Sequence, residues 1–446
     1  MDLEELTELV AVGEVDTVIL AMTDMQGRLQ GKRLDADAFL GDITDHGAEA
    51  CNYLLAVDME MNTLPGFALT SWESGYGDFV LRPDLATLRR ATWLEGTAIC
   101  LADVEHHDGS PVVESPRQIL RVQLDRLAAR GWQAMVGSEL EFVLYRETYA
   151  SARDKGYRDL VPGNAYNVDY SILGTTMVED VIRPIRLAMK AAGLTVEDSK
   201  GECNLGQHEV NFRYQDALRM ADEHVLYKLA AKEIAHQRGA ALSFMAKVNQ
   251  REGNSCHIHC SLWAGDEPLF AGDGPHGHAP LYDQWIAGQL ERTRELAYLY
   301  APNVNSYKRY AHGSFAPTTL RWGRDNRTCA FRSVGHGPSL RLETRIAGGD
   351  ANPYLAFAAV IAAGLDGVDR GLVPPAPLPG SAYDAEGPRL PTSLREAVDL
   401  LDGSALARAA FGDRVVDHYV TSGRHEVEAF EAAVTDWEMV RNFERS

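Results

Sequence analysis

What this 446-residue sequence lacks excludes several classes of function before any motif is considered. No apolar run approaches the roughly 18 residues that a helix needs to cross a bilayer, so no membrane partner is expected. The opening MDLEELTELV is acidic and amphipathic, without the basic start and small-residue cleavage site of a secretory leader, and a cytoplasmic location is expected. Cysteines are few and scattered: Cys51, Cys100, Cys203, Cys256, Cys260 and Cys329. Disulfide frameworks belong to short secreted domains, so these six read as reduced structural residues. Basic residues are outnumbered, 43 Lys and Arg against 64 Asp and Glu, for a net charge of −21. That surface repels nucleic acid and favours the approach of cations and amines, although a negative charge also serves simply to keep a protein dispersed. No G-x-x-x-x-G-K-[ST] segment is present, so an ATP site, if there is one, is not of the P-loop kind.

What is there reads as an α+β chain large enough for one large or two unequal domains. Residues 16–22 (DTVILAM) predict a short buried strand, and the polar DMQGRLQGKR after it a turn into a second. The polar stretch Asp103–Ser115 marks a domain boundary, with a small β-rich unit over 1–110 and a catalytic unit over 111–446. Ser115 and Pro116 then cap a helix reaching Arg130. A strand from Gln133 to Tyr145, a helix ending at Ala192 before Gly193, and a helix from Asp222 to Arg238 follow. Strands over Ala241–Val248 and Ser255–Trp263, a helix around Asp283–Tyr300, and an exposed Pro-rich loop over Gly371–Gly380 complete the pattern. Two motifs are decoys. GDGPHG (272–277) matches G-x-G-x-x-G but has no helix behind it, and the consecutive residues of EHHD (105–108) cannot all face one ion.

The chemistry-bearing residues share a spacing of two. In GSELEF, Glu139 and Glu141 project from one face of a strand, holding two like charges close, an arrangement that invites divalent cations with oxygen ligands or else marks a solvated strand face. In CHIHC, His257 and His259 share a face opposite Cys256, Ile258 and Cys260, which argues against a Cys/His zinc knot. In RLETR, Arg341, Glu343 and Arg345 form a charge ladder that is either functional or a surface strip. Glu202 and Glu209 add two carboxylates around CNLGQH, and Arg309, Arg327 and Arg332 add guanidinium groups suited to bidentate recognition of phosphate and carboxylate. Together these point to metal-assisted phosphoryl transfer.

In order and spacing, GSELEF, GECNLGQHE, GNSCHIHCSL, NSYKR, DNRT, RLETR and ANPYLAFAA resemble the glutamine synthetase family across essentially the whole chain. The resemblance implies a small N-terminal β-grasp domain, a larger glutamine-synthetase-type catalytic domain, and a homo-oligomer of two stacked hexameric rings, a dodecamer. It also implies an ATP-dependent ligase acting on L-glutamate, ATP and an amine, with two or three Mg²⁺ or Mn²⁺ ions. By motif, Glu141, Glu202 and Glu209 correspond to ligands of the metal on the glutamate side, and Glu139, His257 and Glu343 to ligands of the metal on the ATP side. His259 and Ser261 correspond to nucleotide contacts, Arg327, Arg332 and Arg341 to the phosphate clamp, and Gly253, Arg309 and Arg345 to the glutamate-binding set. Arg327, Glu343 and Arg345 are the implied catalytic residues.

One departure bears on the amine. Six residues beyond the arginine of the SYKR-type motif, glutamine synthetases carry a glutamate that binds ammonium. Here that position is Phe315, and the family's DGSS-type loop is unrecognisable between Val57 and Asp78. Loss of both anions disfavours a bare ammonium ion, while an aromatic wall suits an amine with a carbon chain. The resemblance therefore narrows to γ-glutamylamide synthetases, with ethanolamine the favoured amine, Phe315 in its pocket, and polyamines, small alkylamines and ammonium as alternatives; a non-catalytic family member with a structural role is the other rival, against which all six metal-ligand positions are intact.

Overall fold

The computed structural model describes residues 1–446 and contains two sheets of separate make-up. In the first, the apolar run β1 (Thr17–Thr23) returns antiparallel as β2 (Leu29–Asp35). The turn between them is held by the buried Asp24, whose carboxylate accepts from the backbone N–H groups of Gln26 at 3.0 Å and Arg28 at 2.8 Å. With β3 (Ala48–Cys51), β4 (Asp78–Pro83), β5 (Arg89–Arg90) and β6 (Thr97–Glu105) the order is β2-β1-β6-β4-β3, and β5 pairs with β6. The pair β1·β6 is parallel.

The second sheet has ten strands. They are β7 (Gln133–Tyr145), β8 (Val196–Gly201), β9 (Gln207–Phe212), β10 (Gln215–Asp216), β11 (Ala241–Ser243), β12 (Cys256–Ala264), β13 (Glu267–Pro268), β14 (Trp322–Arg324), β15 (Phe331–Val334) and β16 (Arg341–Thr344). The main path is β14-β15-β16-β12-β7-β9-β8. One face of this sheet is core: Leu140, Phe142, Cys256, Ile258, Cys260 and Leu342 are all buried. Helices Pro116–Ala128, Ala217–Gln237, Pro280–Arg292 and Pro353–Asp369 carry much of the remaining core. The last of these is apolar on every side as far as Leu365, as suits a helix enclosed by others, and it starts on Asn352 as N-cap with Pro353 behind it. A Cβ on its Gly364 would stand 2.2 Å from the Trp285 ring, so the close crossing with helix Pro280–Arg292 requires glycine.

The elements are α+β, as the sequence pattern implies, with three differences in detail. The strand expected over 241–248 stops at Ser243, because the Asn254 side chain takes over the next carbonyls, donating to Met245 O at 2.8 Å and Ser243 O at 3.3 Å. The helix expected over 283–300 breaks into Pro280–Arg292 and Ala297–Tyr300. The helix expected from Asp222 begins five residues earlier at Ala217, where the carboxylate of Asp216 caps the N–H of Leu218 at 3.0 Å. All six cysteines are free thiols.

The first sheet is tied to the helices of the catalytic unit by a largely buried charge cluster. Arg117, 2% exposed at the start of helix Pro116–Ala128, donates to Asp222 at 2.9 and 3.0 Å, to Asp103 on β6 at 2.5 Å and to Asp84 at 2.6 Å. Tyr354 OH closes the far side of Asp222 at 2.6 Å.

Two buried histidines set an acid limit. Burial holds His208 down at about 4 and His418 at about 3, against 6.5 for a free imidazole. The folded state resists a proton that the unfolded chain accepts near pH 6.5, so their contribution, on the order of 3 kcal/mol each, is complete above that pH and is lost as pH falls toward 4. Urea unfolding at pH 7 and pH 5 should show this loss, and a His208→Gln/His418→Gln variant should show a flatter dependence; equal slopes would contradict it.

Candidate active site and family

The face of the second sheet opposite the core carries the charged residues, and strand register decides which of them meet. His257 lies across from Glu139 on β7, and His259 across from Glu343 on β16. Arg332 on β15 lies across from Glu343, while Glu141 lies across from Glu209, which in turn lies across from Lys200 on β8. Three groups have their donor atoms within 4.8 Å of one another: Glu139, His257 and Glu343; Glu141, Glu202 and Glu209; and, sharing Glu202 with the second, Asp169, Glu202 and Cys203.

In the first group, Nδ1 of His257 stands 3.3 Å from Glu139 Oε2 and 3.5 Å from Glu343 Oε1. Glu343 is fully buried and accepts from Arg332 at 2.9 Å and from Arg345. Burial would raise its carboxyl, but Arg345 and His257 outweigh that and hold it at about 2. Burial, helped by Arg345, keeps the His257 imidazole down at about 4, so it is neutral and able to offer a lone pair. His259 Nδ1 accepts from Arg341 Nε at 3.1 Å; since the arginine has no lone pair to offer, the imidazole proton is on Nε2, which lies 2.9 Å from Glu139 Oε1.

In the second group, Glu141 accepts from the backbone N–H of Ser255 at 2.7 Å and from Gln207 Nε2 at 2.9 Å. Burial, with the charge of Glu202 beside it, pushes Glu141 well above the ordinary carboxylate range. Glu209 is driven well above its ordinary value by burial and by the neighbouring Glu202 and Glu141. These three desolvated carboxylates raise one another's proton affinity, and the one ammonium beside them, that of Lys200, does not offset the effect. In the first group the Nε2 atom of His257 is buried with no hydrogen-bond partner. All-oxygen ligands in one cluster and two carboxylates with an imidazole in the other are a donor set that fits hard or borderline divalent ions.

These groups open into adjoining cavities. One, of about 460 Å³, is lined by Glu139, Glu141, Glu202, Glu209, Gly253, His257, Phe315, Arg327, Arg332, Glu343 and Arg345, among others. The second, of about 480 Å³, shares Glu139 and adds His259, Ser261 and Arg341, flanked by Trp263, Tyr214 and Phe212. Every site residue expected from the sequence therefore lines one of the two except Arg309. That arginine is 1% exposed behind the first cavity, donating to the carbonyls of Ala347 at 2.6 Å, Arg345 at 3.0 Å and Asn254 at 3.3 Å, with Nη1 unpartnered. It braces the segment that carries Arg345. Gly253 has no room for a side chain: a Cβ would stand 2.3 Å from Ala246 O and 2.8 Å from Arg309 Cγ.

Phe315 stands at the mouth of the first cavity, 52% exposed, with φ at +57°. A phenylalanine in the left-handed region is strained and needs surrounding contacts to hold it. Here the Arg345 guanidinium donates to its carbonyl at 3.4 Å, and Ser314 Oγ bonds Ala311 O at 2.6 Å. Asp169, Tyr170 and Lys200 are among the lining residues not singled out from the sequence, and Cys203, read there as a structural thiol, also lines the cavity. For Lys200 a signal existed, since it alternates with Glu202 as Glu139 does with Glu141. Asp169 and Tyr170 sit in an irregular loop whose path no periodicity announces.

Comparison with known proteins agrees with this geometry. Residues 113–442 match the family profile described as glutamine synthetase, catalytic domain. Over 445 residues the chain is 58% identical to gamma-glutamylethanolamide synthetase GlnA4 of Streptomyces coelicolor, covering 100% of this chain and 96% of that one. It is 35% identical over 435 residues to glutamate–isopropylamine ligase of a Pseudomonas species, covering 96% and 95% respectively. A solved structure of GmaS without ligand superposes with a TM-score of 0.86 at 28% identity, over 98% of this chain and 99% of that one. Relatives that match along their whole length, together with paired carboxylate clusters on one sheet face, lead to one conclusion: the chain belongs to the glutamine synthetase family and is an ATP-dependent ligase that uses divalent metal ions.

Proposed function

We propose that the protein joins the γ-carboxylate of L-glutamate to an organic amine, ethanolamine by preference, with ATP as the source of free energy and γ-glutamyl phosphate as the intermediate. The 58% identity to a gamma-glutamylethanolamide synthetase over the full chain supports the choice of amine. The observation that carries the reading is that an exposed phenyl ring, Phe315, lines the cavity that also contains Glu141, Glu202, Glu209 and Arg345. A carbon chain gains from that wall, whereas position 315 itself offers an ammonium ion no carboxylate.

A carboxylate is a poor electrophile, and converting it to an acyl phosphate makes it open to amine attack. In this reading Glu139, His257 and Glu343 hold the ion that meets the nucleotide phosphates, Glu141, Glu202 and Glu209 hold the ion on the glutamate side, and Mg²⁺ or Mn²⁺ serve at both. Bound there, such ions supply positive charge against the phosphate oxygens of the transferring group. The chain's own contribution is a clamp: Arg327, Arg332 and Arg341 are the guanidinium groups along the phosphate path, and Arg345 with the Gly253 loop orients glutamate, supported from behind by Arg309. His259 and Ser261 face the nucleotide cavity, where Trp263, Tyr214 and Phe212 offer apolar surface to a base. We further assign residues 1–110 to a β-grasp domain and 111–446 to the catalytic domain, and take the assembly to be a dodecamer of two hexameric rings.

A screen of amines measured as phosphate release with glutamate, ATP and Mg²⁺, with the amide product identified by mass spectrometry, tests this reading. Ethanolamine should lead. A rate with ammonium far above every organic amine would make the protein a glutamine synthetase instead. Phe315→Glu should shift the ammonium-to-ethanolamine ratio of kcat/KM upward by about tenfold or more, the scale of a single contact change in a specificity pocket. An unchanged ratio would remove Phe315 from the amine site.

A further inference from the structure

Lys200 places a cation inside the three-carboxylate cluster. On β8 it lies directly across from Glu209, so register puts the ammonium and that carboxylate side by side, and Glu202 follows two residues later, just past the end of the strand. Its Nζ contacts Glu202 and stands 3.3 Å from Asp169 Oδ1 and 4.0 Å from Glu209 Oε1. It also donates to Gly201 O at 3.2 Å and sits 4.4 Å from the centre of the Tyr170 ring. With 20% of the side chain exposed, these charges are poorly screened by solvent. Of the three arginines that line the same cavity, Arg332 and Arg345 pair with Glu343, and Arg327 makes no ion pair with Glu141, Glu202 or Glu209. Lys200 is thus the cation committed to this cluster.

We propose that Lys200 is a tethered counter-cation of Glu141, Glu202 and Glu209: it holds Glu202 while no ion is bound and must release it when a divalent ion enters. The proposal rests on the reading that these three carboxylates hold a metal. A like charge so close repels an incoming dication, and an ion that takes Glu202 must break an existing pair. Lys200 therefore weakens metal binding at this cluster, while the Glu139–His257–Glu343 cluster, which it does not contact, is left unchanged. It acts through Glu202 and is a positioning residue.

The test is titration of the full-length, nucleotide-free protein with Mn²⁺, free ion being counted by its paramagnetic resonance signal, for the wild type, Lys200→Met, Lys200→Arg and Glu209→Gln. Lys200→Met should tighten one class of sites by about tenfold or more, the scale of one removed like-charge contact, and leave the other class unchanged. Lys200→Arg should stay near wild type, and Glu209→Gln should remove the class that Lys200→Met tightens. If Glu209→Gln removes one class but Lys200→Met leaves it unchanged or weaker, the counter-cation role is wrong and the metal reading stands. If Glu209→Gln removes no class, the metal reading itself fails. Lys200→Gln serves as the uncharged variant should Lys200→Met not fold, judged by circular dichroism.

Discussion

Glu343→Gln should lower ligase turnover by about 10³-fold, the scale of losing a preorganised charge at a phosphoryl-transfer site. It should also destabilise the metal-free protein by about 3 kcal/mol, because removing one member of a buried ion pair leaves its partners uncompensated. Both effects follow from position. Glu343 is fully buried, receives Arg332 on one oxygen and Arg345 on the other, and lies 3.5 Å from His257. Gln is nearly isosteric, so the change isolates charge from shape. Glu343→Asp keeps the charge but draws it back by one methylene; it should recover part of the stability and little of the turnover. Phosphate-release rates and urea midpoints read the two quantities separately, and turnover within tenfold of wild type would refute the assignment of Glu343 to the reaction.

Arg117→Met should produce the largest loss of stability of any single change proposed, about 3–5 kcal/mol. Its guanidinium is 2% exposed and satisfies Asp222, Asp103 and Asp84 at once. Arg121 also reaches Asp84 at 3.0 Å and Asp103 at 2.9 Å, so those two carboxylates keep a partner after the change. Asp222 does not: it is 4% exposed, with the Tyr354 hydroxyl beside it at 2.6 Å. The loss should therefore track the stranded charge of Asp222, and Arg117→Met/Asp222→Leu should recover much of it, as replacing a buried pair by apolar groups commonly does. Urea unfolding of the four members of this cycle measures the coupling. A single-variant loss below about 1 kcal/mol would mean that the cluster is far more hydrated than its burial indicates.

Much of this site was legible in the chain because a strand displays its residues in alternation. The strand expected over Gln133–Tyr145 is observed with those bounds, and the shared faces read from GSELEF and CHIHC bring Glu139, Glu141, His257 and His259 to one surface. Which strands lie side by side was not legible from spacing: that Glu343 meets His257, or Glu141 meets Glu209, is settled by register between segments 86 and 68 residues apart and entered only through the family resemblance. The segments that periodicity misjudged are those where side chains replace the expected ladder or end a helix through tertiary contact. Asn254 intercepts the carbonyls after Ser243, and nothing in the run ERTREL announces the break between Arg292 and Ala297. Lys200 went unremarked because a lone lysine beside acidic residues usually marks a solvated surface, and only its 20% exposure shows otherwise.

The alternation along β12 also governs how this chain can vary. Its odd-numbered positions from His257 to Ser261 face the cavities and its even-numbered ones from Cys256 to Leu262 face the core, so substrate-side residues can be exchanged by point substitution without repacking the interior. A one-residue insertion or deletion within the strand would do the reverse, turning two imidazoles inward against hydrocarbon and two thiols outward toward the nucleotide. Heritable change at this enzyme is therefore expected to run through replacement on the strands and length variation in the loops.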